Sequence, residues 1–188
     1  RSGQTVLFEL LAGMTRLMAP VLSFTAEEVW FYMSSNVKDK SVHMSSLAKP
    51  LDVNVDEGFI RKWEMLTQLK SEVSKALELC RREKVIGHSL DARVRLVLPE
   101  SVQSVLGNEY SDLQFVFIVS SVAVVTVLEK EDKVYSSENL EGLKVGVSHM
   151  GGQKCARCWN YFEEDGCDKG EHSTVCSRCI KNLESAKI

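Results

Sequence analysis

Four cysteines of this 188-residue chain have a spacing that can hold a metal ion. Cys155 and Cys158 form one Cys-x-x-Cys pair, and Cys176 and Cys179 form a second pair after 17 intervening residues. Two such pairs can bring four sulfurs around one point, which is the tetrahedral thiolate coordination that Zn²⁺ prefers. Because four thiolates leave no coordination position open, the spacing predicts one structural zinc ion and not a catalytic one.

Other uses of these cysteines stay open on spacing alone, namely disulfides, or an iron–sulfur cluster or another metal. We find no secretory signal at the beginning of the sequence, which favours a metal over disulfides, and we expect the chain to be a piece of a longer one. Cys80 falls on the apolar face of a predicted helix, where it packs as a small apolar residue. Cys167, in an acidic loop, is expected to be a spare thiol, and His172 could compete as a metal ligand only in principle.

Apolar residues at helical spacing predict three helices in the first half of the chain. The first ends before Pro20, the second begins at Thr25 as its N-cap, and Gly87 is a suitable stop for the third. Trp30 and Trp63 lie on the apolar faces of the second and third helices, so both are expected in the core. The predicted spans are residues 4–18, 25–33 and 59–84.

The period then changes to the alternation of β-strands. Strands are predicted at residues 92–99, 115–119, 122–128 and 143–147, with a short helix at 102–106. The cysteine segment that follows has few large apolar residues, so it needs the metal in order to fold. We therefore predict an α+β fold in three modules, which are a helical part at residues 1–91, a small mixed α/β part at 92–149 and a zinc finger at 150–188.

Composition excludes wholesale disorder, since 44% of the residues are hydrophobic and 26% are charged. No apolar run approaches the roughly 20 residues that a membrane-spanning helix needs. The net charge of −3 hides a basic segment at residues 60–95, with nine basic and five acidic residues, next to an acidic one at 96–148, with three and eight. A basic segment fits either phosphate contact or an ordinary solvated face.

Several segments, in this order, resemble one protein family. They are similar to the C-terminal part of bacterial-type or organellar isoleucyl-tRNA synthetases, which are class I aminoacyl-tRNA synthetases. The chain departs from the family at Lys70, where the family tends to carry Arg. The similar segments are residues 17–30 (LMAPVLSFTAEEVW), 41–44 (SVHM), 72–78 (EVSKALE), 86–92 (IGHSLDA), 152–159 (GQKCARCW) and 176–179 (CSRC).

The resemblance implies a ligase that joins isoleucine to its tRNA with ATP and Mg²⁺ in a catalytic core upstream of this segment. Residues 85–88 (VIGH) and 43–46 (HMSS) only partly match the two class I catalytic signatures, so we expect no catalytic residue here and an inactive fragment. The resemblance further implies a monomer that binds isoleucine-accepting tRNA and neither DNA nor membranes. Its expected location is the cytoplasm, with the mitochondrial matrix or chloroplast stroma as alternatives.

In this family the helical domain and the C-terminal extension clasp the anticodon stem-loop, which needs basic groups for phosphates and flat groups for unpaired bases. Trp159 could stack on RNA or pack beneath the finger. Arg157 and Arg178 could contact RNA or offset the thiolate charge. The candidate RNA-binding residues are Lys154, Arg157, Trp159 and Arg178 in the finger and Lys75, Arg81, Arg82 and Lys84 on the long helix, for which a solvated helix face is the alternative.

Two other functions fit part of the pattern. DNA-repair glycosylases of the formamidopyrimidine type end in a similar finger, but their N-terminal proline nucleophile and helix–two-turn–helix have no counterpart here. A free-standing zinc-ribbon interaction module without a nucleic-acid partner is the other alternative. The salt dependence of binding distinguishes a nucleic-acid partner from a protein partner, because phosphate binding weakens steeply with salt and a protein contact need not.

Overall fold

Helices make up the first part of the chain, and helices with a mixed sheet make up the second, which confirms the α+β prediction. The computed structural model describes residues 2–33, 39–50, 55–107, 110, 112–163 and 173–185. Two compact units divide the chain, Arg1–Asn54 and Val55–Ile188. The helices are α1 (Ser2–Met18), α2 (Ser23–Tyr32), α3 (Glu57–Arg82), α4 (Glu100–Leu106), α5 (Leu113–Phe117) and α6 (Ser177–Ser185), with 3-10 turns at Val42–Met44 and Ser89–Asp91. The strands are β1 (Ala92–Val97), β2 (Ser121–Val124), β3 (Lys133–Ser136), β4 (Lys144–His149), β5 (Gln153–Lys154) and β6 (Tyr161–Phe162).

Small residues form the contact between α1 and α2 in the first unit. Ala12, Ala19 and Ala26 are buried together with Trp30, which confirms the core prediction for that tryptophan. The indole N–H of Trp30 donates to the carbonyl of Asp39 at 2.8 Å, so its polar atom is satisfied. Five larger apolar residues of α1 remain exposed; these are Leu7, Leu10, Leu11, Met14 and Leu17.

The start of α2 differs from the prediction. The helix begins at Ser23 with Leu22 at its N-cap, and no side chain caps it, so Thr25 lies inside the first turn. The reason is the tight connection from α1, in which the Leu22 N–H donates to the Met18 carbonyl at 2.8 Å. The Ala26 N–H then donates to the Leu22 carbonyl at 2.8 Å, so the first hydrogen bond of α2 already begins at Leu22, ahead of Thr25.

The second unit is built on a four-stranded mixed sheet with the order β2-β1-β4-β3. Strand β1 is parallel to β2 and antiparallel to β4, and β3 is antiparallel to β4. Helix α3 contributes Leu69 and Val73 to the same buried core as Val94 and Leu96 of β1 and Val145 of β4. This core extends across residue 91, where we predicted the boundary between the helical and α/β modules.

Two elements of the sheet region were wrong or missed. Residues 115–119, predicted as a strand, belong largely to helix α5, in which Leu113 and Phe117 are buried four residues apart. Their β propensity gives way to packing against α3, because that spacing places both on one helical face. Strand β3 escaped prediction because it is a mostly exposed edge strand with only Tyr135 half-buried.

Helix α3 also departs from its predicted ends. The Asp56 carboxylate accepts from the Phe59 N–H at 2.8 Å and caps the beginning of the helix. The helix ends at Arg82, two residues before the predicted end at residue 84, because Lys84 takes the left-handed conformation, with φ of 60°. Trp63 is 47% exposed, so its core prediction is wrong: burial on this helix begins one turn later, at Leu66.

Candidate metal centre and nucleic-acid surface

The four cysteine sulfurs converge at one place. The Sγ atoms of Cys155, Cys158, Cys176 and Cys179 all lie within 4.8 Å of one another, and those of Cys158 and Cys176 are 3.7 Å apart. A tetrahedral site with Zn–S bonds of about 2.3 Å has sulfurs about 3.8 Å apart, so the arrangement fits zinc. All four are free thiols, which does not favour the disulfide alternative. Cys80 is also free and is buried in the α3 core, as expected.

Backbone hydrogen bonds shape the turn that carries the first cysteine pair. The Trp159 N–H donates to the Cys155 carbonyl, and the Cys155 N–H donates to the Asn160 carbonyl, both at 2.9 Å. The Cys176 N–H donates to the Cys155 sulfur at 3.3 Å and so links the two pairs. Gly152, with φ of 96°, lies against the Phe162 carbonyl where a Cβ would overlap it, so the β5–β6 hairpin requires glycine there.

The thiols of the cluster are not equivalent. Burial opposes ionisation of Cys155, but N–H groups of the surrounding backbone lower its pKa to about 6. Burial raises the pKa of Cys176 to about 12. A thiol must lose its proton to become a zinc ligand, so a bound ion would supply driving force for ionising the buried thiols of the cluster.

The two arginines of the finger lie in different surroundings. The Arg178 guanidinium lies over the Phe115 ring of α5 at 4.8 Å. Burial opposes its charge, but a hydrogen bond to the Cys158 sulfur raises the Arg178 pKa, in keeping with a role in offsetting thiolate charge. Arg157 is exposed.

Trp159 is 61% exposed, so the alternative in which it packs beneath the finger is wrong. Its φ of 66° is uncommon for a bulky residue and shows that the turn dictates its conformation. Lys154, on β5, has its ammonium 5.9 Å from the centre of the Tyr161 ring. Exposed Trp159, Arg157 and Lys154 thus share the first cysteine turn and its adjoining strand.

Three of the four basic candidates of the long helix lie close to acidic groups, and the fourth, Lys84, is exposed just after α3. Lys75 contacts Glu72 at 2.7 Å, and both Arg81 and Arg82 pair with Glu78. Glu78 and Arg82 are four residues apart, the spacing at which side chains of a helix meet. These contacts suit the solvated-face alternative, since each cation is already partly neutralised.

Glu72 is a buried carboxylate that sequence reasoning missed. Its place on the face of Leu69 and Ala76 was the available signal. Burial would raise its pKa, but four hydrogen bonds lower it from 4.5 to about 2. The donors are Lys75, Ser137, Asn139 and Tyr135, at 2.6 to 3.0 Å.

Two predictions fall on residues that the structure does not describe. Cys167, expected to be a spare thiol, and His172, a possible competing ligand, both lie outside the described residues. Among the helices that are described, none is both long and apolar enough to cross a membrane.

Two models of known protein families match this chain. Residues 1–96, just over half of the chain, match the model of the anticodon-binding domain of tRNA ligases. The chain therefore belongs to the family of tRNA-ligase anticodon-binding domains. Residues 152–182 match the model described as "Zinc finger found in FPG and IleRS", which supports a structural zinc. The finger alone is shared with the glycosylase type, whereas the match at residues 1–96 favours the ligases.

Individual relatives of the chain are ligases for one amino acid, isoleucine. The chain is 45% identical over 184 residues to an isoleucine–tRNA ligase of Syntrophotalea carbinolica, 43% over 180 residues to one of Staphylococcus epidermidis, and 42% over 179 residues to one of Geobacter sulfurreducens. These alignments cover 95–97% of the chain but 19% of each relative, so the chain spans about a fifth of their length. The resemblance to isoleucyl-tRNA synthetases is thereby confirmed.

Proposed function

We propose that this chain is the anticodon-recognition region of an isoleucine–tRNA ligase and binds the anticodon stem-loop of isoleucine-accepting tRNA. The exposed indole of Trp159 carries the proposal, because it follows the first cysteine pair and comes two residues after the exposed Arg157. A rigid aromatic face next to a cation is the combination that captures an unpaired base and its phosphate. The anticodon-binding family of residues 1–96 supports RNA as the partner.

Within this proposal, Cys155, Cys158, Cys176 and Cys179 are the zinc ligands. Lys154, Arg157 and Trp159 form the RNA-contacting edge of the finger. Arg178 offsets thiolate charge, and the paired cations of α3 add at most a diffuse positive field. The helical, α/β and finger modules at residues 1–91, 92–149 and 150–188 remain our proposed functional divisions.

The remaining properties concern a whole ligase. The relatives are named isoleucine–tRNA ligases, and we infer that ATP, Mg²⁺ and the joining reaction belong to a catalytic core outside this segment. Partial matches to class I signatures at residues 43–46 and 85–88 lack essential residues, so this segment alone would be inactive. We further infer a monomeric, cytoplasmic enzyme that binds neither DNA nor membranes.

The test is binding of the zinc-loaded 188-residue chain to isoleucine-accepting tRNA and to a non-cognate tRNA across a salt series. We expect a cognate preference, steep salt dependence, and loss of the preference after zinc chelation. Trp159→Ala should weaken binding, whereas Trp63→Ala, which truncates another half-exposed tryptophan, is the matched control. Salt-independent capture of a protein and no tRNA binding would favour the free-standing interaction module instead.

A further inference from the structure

The Ser120 hydroxyl joins three segments of the second unit. Ser120, just before β2, is buried and donates through its Oγ to the Leu90 carbonyl at 2.5 Å. The same oxygen accepts a hydrogen bond from the Tyr161 N–H of β6 at 2.7 Å. One side chain therefore connects the 3-10 turn at Ser89–Asp91, the sheet and the β5–β6 hairpin of the zinc finger.

Neighbouring side chains also connect the mixed sheet to the β5–β6 hairpin, and we call this contact region the junction. Arg93 of β1 pairs with Glu163 at 2.5 Å, just after β6, and its Nε contacts the Met150 sulfur at 3.3 Å. The rings of His149 and Tyr161 meet edge to face, with centres 5.6 Å apart. Ser120 differs from these contacts because its hydroxyl accepts directly from a backbone N–H of the finger. This bond holds the β5–β6 hairpin at one position relative to the sheet.

Trp159 depends on this junction through two short steps. It lies two residues before Tyr161, and the intervening Asn160 carbonyl accepts from the Cys155 N–H at 2.9 Å. Trp159 has a φ of 66° and its N–H donates to the Cys155 carbonyl, so the position from which the exposed indole projects is set by the backbone and not by packing of the ring. A displacement of Tyr161 is therefore transmitted to Trp159.

We propose that Ser120 is a positioning residue for RNA recognition, holding the hairpin so that Trp159 presents its face to an unpaired base at one fixed place relative to the mixed sheet. This inference rests on the proposed tRNA function of Trp159. Removing the hydroxyl leaves the partly buried Tyr161 N–H without its partner, so the hairpin must shift to find water. The zinc cluster itself has its own bonds and remains intact.

A double-mutant cycle on the zinc-loaded 188-residue chain tests the proposal, with the anticodon stem-loop of isoleucine-accepting tRNA as the probe. Trp159→Ala should weaken binding about five- to 150-fold, the range of base–aromatic stacking. Ser120→Ala should weaken it about two- to tenfold. If Ser120 acts through Trp159, the double variant binds no more weakly than Trp159→Ala alone, and all variants hold one zinc ion.

Ser137→Ala is the control for general destabilisation, because it removes a hydrogen bond to buried Glu72 and does not touch the finger. The affinity of the Ser137→Ala variant for the anticodon stem-loop should equal that of the parent chain at temperatures where the variant is folded. Additive losses in the cycle, or full binding by Ser120→Ala, would overturn the positioning role while leaving the function in place. An unaffected Trp159→Ala variant would instead remove the stacking role and the positioning role together.

Glu163→Gln weakens the same junction from its exposed side and keeps the test usable if Ser120→Ala loses zinc. We expect Glu163→Gln to weaken stem-loop binding less than Ser120→Ala does. In a chain that already carries Trp159→Ala, Glu163→Gln should cause no further loss. Faster amide exchange at Tyr161 in Ser120→Ala, with unchanged exchange in β4, would locate the disturbance in the hairpin. Unchanged exchange at Tyr161 would contradict the proposal.

Discussion

The guanidinium of Arg178 lies 4.8 Å from the centre of the Phe115 ring. Arg178 belongs to the second Cys-x-x-Cys pair and Phe115 to helix α5, so this cation–π contact attaches the finger to the helical layer of the second unit. Arg178 thereby has two protein partners, the ring and the Cys158 sulfur. Arg157, in the equivalent place of the first pair, is exposed.

The two arginines should therefore respond differently to substitution. Arg157→Ala is expected to weaken tRNA binding and to reduce the slope of log affinity against log salt by about 0.7–0.9, the value for one phosphate contact. Arg178→Ala should leave that slope unchanged and lower the thermal stability of the finger. Binding titrations at four or more salt concentrations measure the slopes; a reduced slope in Arg178→Ala alone would reverse the assignment.

Removing one cysteine pair should unfold the finger without unfolding the sheet. We expect the chain with Cys155→Ser and Cys158→Ser to bind no zinc, because structural zinc supplies about 10–16 kcal/mol to such small modules. Metal analysis and amide exchange check this, with loss of protection in α6 and retained protection in β1 and α3. Cys80→Ala, which alters a buried thiol outside the cluster, should still hold one zinc ion per chain; loss of zinc there would argue against the four-cysteine site.

Glu72 should make stability depend on acid pH. Its pKa in the folded chain, about 2, is below the ordinary 4.5, so its contribution is fully present above about pH 4.5 and is lost as pH falls toward 2. The shift corresponds to at most about 3 kcal/mol. Glu72→Gln should be less stable than the parent at pH 7, with the difference shrinking below pH 4.5 in urea unfolding. The exposed Glu78→Gln should change stability by less than about 1 kcal/mol, and an equal loss there would contradict the buried network.

Lys84 has a conformation that glycine adopts more easily. Because its φ is 60° at the end of α3, Lys84→Gly should stabilise the chain by about 0.5–1 kcal/mol. Gly107, with φ of 62° at the end of α4, is the converse control, and Gly107→Ala should destabilise by about 1 kcal/mol or more. Thermal unfolding measures whether each variant is more or less stable than the parent chain. Destabilisation by Lys84→Gly would show that the lysine side chain is needed there.

The features predictable from the sequence were those carried by local spacing. The two Cys-x-x-Cys pairs, the helices around α1 and α3, and the alternation of β1 and β4 all follow from residue period, which is a property of neighbours in the chain. The fold class and the family resemblance rest on the same local patterns and are confirmed. Burial of Trp30 also followed correctly from its helical face.

Other features depend on which segments meet in space. Residues 115–119 have strand propensity, yet Leu113 and Phe117 pack as a helix on α3, and Trp63 lies beyond the part of α3 that the core covers. Burial of Glu72 required donors more than 60 residues away, at Ser137 and Asn139. Sequence period determines the face on which a residue lies, whereas only the tertiary structure supplies the partners across from it. Arg178 lies over the Phe115 ring, whereas the Trp159 side chain is left exposed.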